Sequence, residues 1–148
     1  MNAEYQKTIW GAIQPFTDEW IAYGETMQGQ PVLEHPKRTD FARDVPAHLI
    51  VMYSQLQEAV MSAAMAYDAT EKAWRGRAVD FDKTSPEALA HFAADAAYSN
   101  LCELERQTSF AIEIASGRAL FSVALNAWDN HHFPISNKPG IGRASRRA

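Results

Sequence analysis

The clearest pattern in the chain runs through residues 49–74, which read LIVMYSQLQEAVMSAAMAYDATEKAW. Apolar side chains recur there at alternating spacings of four and three residues, so they fall on one face of an α-helix. The positions are Leu49, Tyr53, Leu56, Val60, Ala63, Tyr67, Thr70 and Trp74. This repeat is typical of helices that cross at a shallow angle in bundles and coiled coils. We predict one uninterrupted helix from about Pro46 to Trp74, ended by Gly76. We also predict that Leu56 and Val60 are buried.

A second helical pattern precedes this stretch, over residues 4–27. Its apolar side chains share one face of a helix, and they are Ile9, Ile13, Phe16, Trp20, Tyr23 and Met27. Pro15 lies inside the pattern. An interior proline lacks the N–H group of a helical hydrogen bond and clashes with the preceding turn, so we expect a kink or a break near Gln14. Residues 17–19 would then cap a fresh helix start.

The connection between these two segments, residues 28–46, is punctuated by glycine and proline. Such punctuation predicts irregular structure. Nineteen residues is long for a connector in a compact domain, and long connectors often pack against the body or bind something. We expect Leu33 and Phe41 to anchor this one.

The third helical segment begins at Ser85 and Pro86, where serine is a good N-cap and proline suits the first helical position. Helical periodicity then continues to about Trp128. The apolar stripe before residues 107–109 and the stripe after them are out of phase. One long helix could change its packing partners there, or a short break could divide two helices. We favour a break or bend at 107–109, because a straight helix of this length would be about 65 Å long.

These patterns predict an all-α fold, a helical bundle of three to five helices with long amphipathic helices. No stretch shows the alternation of a β-strand. We expect residues 1–134 to form a single helical domain. Residues 135–148 read as a basic, flexible tail, because they combine glycine, proline and arginine without helical periodicity.

The charge of the chain constrains its partners. The net charge is −4, yet residues 138–148 hold four cationic residues and no acid, so the rest of the chain is more acidic than the total indicates. An acidic body repels nucleic-acid phosphates. Nucleic acid is therefore disfavoured as a partner, except through the basic tail.

Two further features predict the location of the protein. The longest stretch without Asp, Glu, Lys or Arg is residues 45–57, which is shorter than the roughly 18 to 20 residues of a membrane-spanning helix. We therefore expect no transmembrane segment. Cys102 is the one cysteine and suits a reducing compartment. Together these features predict a soluble, cytoplasmic protein.

Few residues combine into recognisable chemistry, and we assign no catalytic residue and no cofactor. The most suggestive set is His91 with Asp95 one helical turn later, because a histidine oriented by a carboxylate is a general-base arrangement. With Tyr67 on the neighbouring segment, they could form a small-molecule or enzymatic site between helices. The alternative is a solvated face with ordinary pairs one turn apart. His131 and His132 are the candidates for a metal site, although adjacent side chains rarely reach one ion and no metal is predicted.

The leading functional hypothesis is a non-enzymatic helical interaction or scaffold protein that self-associates through apolar helix faces. Apolar residues spread beyond a single stripe, which indicates burial against a second chain. A two-fold homo-oligomer is the commonest arrangement, and a protein partner is the alternative. The predicted interface lies on the second and last helices and comprises Leu49, Tyr53, Leu56, Val60, Met61, Met65, Phe121 and Leu125.

The overall character of the chain also resembles a known family. It is acidic and alanine-rich, with long amphipathic helices and a single cysteine. In these respects it resembles the phasins, which coat polyester storage granules. The resemblance implies a coat protein on an apolar granule surface, as an alternative to self-association.

Overall fold

The computed structural model describes residues 2–76 and 83–134 of the chain. Four α-helices span Asn2–Met27 (α1), Ala47–Arg75 (α2), Pro86–Ala115 (α3) and Arg118–His132 (α4), and Arg38–Asp40 forms one turn of 3-10 helix. Helix accounts for 81% of this described part, which contains no strand. The all-α prediction is confirmed, and four helices lie within the predicted range. The predicted basic tail, residues 135–148, lies outside the described residues, and the single-domain assignment stays a prediction.

Helix α1 runs through Pro15 without a break. Of the two outcomes expected near Gln14, the break is therefore absent, and the kink stays a prediction. Because Pro15 has no N–H group, the carbonyl of Gly11 lacks its helical donor. Both residues are exposed. Water can therefore satisfy the carbonyl of Gly11, which limits the cost of the missing bond. Thr17 does not cap a new helix either, because its hydroxyl donates to the carbonyl of Ile13 at 3.0 Å, one turn back.

Helix α2 is the uninterrupted helix that its repeat predicts, and it ends at Gly76, whose N–H donates to the carbonyl of Lys72. Leu49 and Leu56 are buried, at 0% and 2% exposure. Val60 is only half-buried, so the prediction of its burial is wrong. It is in step with the repeat, but the residues packed on that face leave part of its side chain open to solvent.

The start of α3 is also as predicted, because the Oγ atom of Ser85 accepts a hydrogen bond from the N–H of Ala88 at 3.2 Å. The break predicted at residues 107–109 is absent. The helix passes through residues 107–109, where Thr108 is fully buried and its hydroxyl donates to the carbonyl of Leu104 at 2.7 Å. The bond satisfies the polar group inside the helix. The chain instead turns at Gly117, which adopts a left-handed conformation with φ of 83°.

Two compact units are distinguishable in the described chain, one comprising residues 2–12, 46–76 and 83–112, the other residues 13–45 and 113–134. In the first unit, the start of α1 packs with α2 and most of α3. In the second, the rest of α1 packs with the 28–45 connection and α4. Side chains buried in the first include Ile9, Leu49 and Leu104, and those in the second include Ile13, Leu120 and Ala124.

The connection in the second unit is held by Phe41, as predicted. Its ring contacts those of Tyr23 and Phe121, with centroids 5.7 and 6.3 Å away. A Cβ atom on Gly117 would overlap the carbonyl oxygen of Phe41, so only glycine allows this approach. The prediction for Leu33 is wrong, since its side chain is 75% exposed. Backbone contact at Gly117 holds the segment where a second apolar anchor was expected.

A membrane-spanning helix must be both long and apolar, and the described helices differ in these respects. None of them alone, over residues 2–76 and 83–134, is both long and apolar enough to cross a membrane. The consecutive helices α3 and α4 meet the length and composition requirements only when the two are taken together.

Candidate functional site

A cluster of aromatic rings surrounds His91 in the first unit. The imidazole of His91 lies 4.8 Å from the ring of Tyr67 and 5.4 Å from that of Trp74, measured between centroids. Phe92 contacts Trp74 at 5.3 Å, and Tyr98 contacts Tyr67 at 5.8 Å. We call these five residues the His91 cluster. Tyr67 and His91, which we named as parts of a possible site between helices, are therefore in contact, and α2 and α3 each contribute one of the two.

The hydrogen bonding of His91 fixes the orientation of its ring. The hydroxyl of Thr70 lies 2.9 and 3.0 Å from the carbonyl oxygens of Ala66 and Tyr67, and 3.2 Å from Nδ1 of His91. A hydroxyl has one proton and two lone pairs. Since its proton goes to a carbonyl, Thr70 accepts a hydrogen bond from the Nδ1–H of His91. This leaves Nε2 as the lone-pair nitrogen of the neutral ring.

The predicted partnership between His91 and Asp95 is not formed. Asp95 is exposed and makes no hydrogen bond or ion pair with another described residue. One helical turn places Asp95 roughly 40° further round α3 than His91, so its carboxylate faces water while the imidazole faces α2. One polar atom within the His91 cluster is unsatisfied. Nε1 of Trp74 is buried and has no hydrogen-bond partner in the described part of the chain.

The far end of the cluster is polar. A hydrogen bond with Cys102 raises the pKa of Tyr98, and the charges of Asp68 and Glu105 contribute in the same direction. The neighbouring Glu103 accepts hydrogen bonds from Arg106 and Gln107, which lower its pKa to about 2. The phenol therefore stays protonated and the carboxylate stays charged at neutral pH. Ligand binding at Tyr67, His91 and Asp95 stays a prediction, with Asp95 outside the cluster.

The predicted interface residues fall into three groups. Leu49 and Leu56 are buried against the chain itself, so they have no surface left for a second chain. Four are half-buried, namely Tyr53, Val60, Phe121 and Leu125. Met61 and Met65 are exposed, at 70% and 73%. Only the last two, therefore, present most of their side chains to solvent.

Met61 and Met65 lie on an exposed face of α2. Ile50 and Val51 are also exposed, at 49% and 55%, nearly three turns closer to the start of α2. Glu58, Asp68 and Lys72 are exposed on the same side. We call this surface the outer face of α2, and it comprises Ile50, Val51, Glu58, Met61, Met65, Asp68 and Lys72. Exposed apolar patches of this kind often mark interaction sites.

The histidines near the end of α4 are exposed. Nδ1 of His132 lies 2.9 Å from the carbonyl oxygen of Trp128, and its ring stacks on that tryptophan with centroids 4.4 Å apart. The ring of His131 is 5.0 Å from that of His132 and nearly perpendicular to it. No group of three or more His, Cys, Asp or Glu side chains within residues 2–76 and 83–134 is placed to hold a metal ion.

The second unit contains two clefts that our sequence reasoning did not predict. Their volumes are about 730 and 740 Å³, and both are lined by Met27, Gln30 and Pro31. The signal in the sequence was the long glycine- and proline-containing connection after α1, whose length indicated packing against the body or binding without locating a cleft. Its contact with α4 depends on residues about a hundred positions later, and no local pattern carries that information.

Comparisons with known proteins identify no relative of this chain. No protein-family model matches the sequence, and no curated protein and no solved structure is significantly similar to the chain.

Proposed function

We propose that the protein is a helical interaction protein that forms a two-fold homodimer through the outer face of α2. The observation that carries the proposal is the exposure of Met61 and Met65 on a helix whose opposite face contributes Leu49 and Leu56 to the core. Burying such apolar side chains against a second copy removes them from water, at about 25 cal/mol per Å². Methionine is flexible and polarisable, which suits a contact surface.

The charges beside these methionines specify one arrangement of the two copies. Glu58 precedes Met65 by seven residues and Lys72 follows it by seven, so all three share one side of the helix. In an antiparallel pair of α2 helices with the two-fold axis at Met65, Glu58 of each copy lies opposite Lys72 of the other. Such an interface is self-complementary, as two-fold symmetry requires. It brings opposite charges together twice.

The same charges favour a protein partner over an apolar granule. A helix that lies on a lipid-like surface needs a continuous apolar face, whereas Glu58, Asp68 and Lys72 interrupt the outer face of α2. The rim of a protein interface accommodates charged residues. A phasin-like coat is therefore the second candidate. An enzyme based on His91 and Asp95 has less support, because the two side chains do not meet.

The proposal is tested by sedimentation equilibrium at micromolar concentration. We expect the wild-type protein to have twice the chain mass of 16.5 kDa, and Met65→Glu to sediment as a monomer, because the variant places two carboxylates at the two-fold axis. The matched control is Ile21→Glu, which introduces the same charge at an apolar residue of α1 that is 51% exposed. It should remain dimeric. A wild-type monomer, or equal loss in both variants, would contradict the proposal.

A further inference from the structure

The two clefts of the second unit lie where two helices end. The first is lined by Gly24 and Met27 from the last turns of α1, and by Ala127, Asn130 and His131 from the last turns of α4. The second continues from the shared residues along the connection as far as Asp40 and Phe41. We call the two together the helix-end cleft. Each part has the volume of a small-molecule site.

The electrostatics of the helix-end cleft favour positive charge. The carboxyl end of a helix carries about half a negative charge, concentrated in its last turn. No basic residue lies in the last turn of α1, and the last turn of α4 holds histidine but no Lys or Arg. The described residues that line the cleft include two carboxylates, Glu34 and Asp40, and again no Lys or Arg. The negative end of α1 therefore borders both parts of the cleft, the end of α4 borders the first part, and the two carboxylate residues line the second part.

The wall of the cleft is aromatic as well as acidic. Tyr23 and Phe41 both line it and contact each other edge to face, with ring centroids 5.7 Å apart. Aromatic faces attract cations. Burial raises the pKa of Tyr23, so its hydroxyl remains protonated and available as a hydrogen-bond donor or acceptor. Met27, Val32 and Leu33 supply apolar surface to the same wall.

We propose that the helix-end cleft binds a small organic cation with an apolar body, such as a primary amine on a short hydrocarbon or aromatic group. The ammonium group would lie near Asp40, and the apolar body would pack against Tyr23 and Phe41. All of these residues belong to the second unit, whereas the outer face of α2 belongs to the first. The proposal is therefore independent of dimer formation.

Three probes of similar shape and different charge test the proposal by isothermal titration calorimetry on the full chain. They are 2-phenylethylamine, 2-phenylethanol and 3-phenylpropionate, titrated at about pH 8, where the amine is protonated. We expect saturable binding of the amine, at least about fivefold tighter than that of the alcohol, and weakest binding of the carboxylate. Absence of saturable amine binding, or equal binding of the three probes, would overturn the proposal.

Two variants locate the site. Asp40→Asn should weaken amine binding about two- to fivefold, the range of an exposed ion pair, and should leave binding of the alcohol unchanged. The control Glu4→Gln removes the same charge from an exposed residue that does not line the cleft. If the two variants bind the amine equally well, the assignment is wrong. Should Asp40→Asn lower the melting temperature, the salt dependence of wild-type binding replaces it, and affinity for the amine that does not fall with added salt overturns the proposal.

Discussion

Both faces of α2 carry large apolar residues, yet these residues have opposite environments. On the inner face, Leu49 and Leu56 are 0% and 2% exposed, whereas Met61 and Met65 on the outer face are 70% and 73% exposed. Hydrophobicity alone does not separate the two groups. The phase of the repeat separates them, because the buried leucines are in step with the four-three alternation and the exposed methionines are out of step with it. The proposed dimer would bury these exposed methionines.

Truncation of one side chain on each face gives the largest expected contrast. Leu56→Ala should lower the free energy of unfolding by about 2 to 5 kcal/mol, the usual cost of removing a buried leucine side chain. Met61→Ala should lower it by less than about 0.5 kcal/mol, because the methionine is already in solvent. Urea denaturation of both variants, at a concentration where the wild type is monomeric, makes the comparison. Equal losses of unfolding free energy in the two variants would contradict the difference in burial between the two faces.

The inner face also contains a polar contact whose loss should cost less. Thr70→Val removes the hydroxyl that accepts a hydrogen bond from His91, and leaves a nearly buried imidazole without its partner. We expect a loss of about 1 to 3 kcal/mol in unfolding free energy, the range for an unsatisfied buried polar group. Thr70→Ser keeps the hydroxyl and is the control. If the serine and valine variants are equally stable, the hydrogen bond contributes nothing.

Oxidation separates the outer-face methionines from a methionine of the same helix that is half-buried. Dilute hydrogen peroxide should convert Met61 and Met65 to sulfoxides before Met52, because reaction follows exposure. If the outer face is an interface, raising the protein concentration should slow oxidation of Met65 by a few fold and leave that of Met52 unchanged. Peptide mass spectrometry measures both rates. Concentration-independent oxidation of Met65 would place it outside any interface.

The parts of the fold that depend on local chemistry were predictable from the sequence. The repeat of α2 gave its bounds and its buried leucines, and serine before proline gave the start of α3. Both signals act within one or two helical turns, where spacing and capping determine the outcome. The contact between Tyr67 and His91 did not follow from this reasoning, because whether polar groups on two helices converge depends on how the helices pack.

One error has a local cause, and others come from contacts between residues far apart in sequence. Residues 107–109 appeared to be a break because the apolar stripes before and after them are out of phase, but the helix continues there and the carbonyl of Leu104, one turn back, accepts a hydrogen bond from the hydroxyl of Thr108. The true turn is at Gly117, where the backbone of Phe41 approaches so closely that a side chain would overlap it. No local sequence pattern near residue 117 indicates that Phe41 is its neighbour. The helix-end cleft was missed for the same reason.

A charge exchange on the outer face tests the antiparallel dimer most directly. Glu58→Lys places lysine opposite Lys72 of the second copy at two symmetric positions, and Lys72→Glu places two carboxylates together. Each single variant should weaken dimerisation at least about fivefold, because like charges replace opposite ones. The double variant Glu58→Lys with Lys72→Glu restores opposite charges in exchanged positions. It should recover most of the wild-type affinity in sedimentation equilibrium, with the helix content of all variants unchanged by circular dichroism. A double variant as weak as the single variants, or single variants that dimerise as well as the wild type, would contradict the proposed pairing of α2 with its symmetric copy.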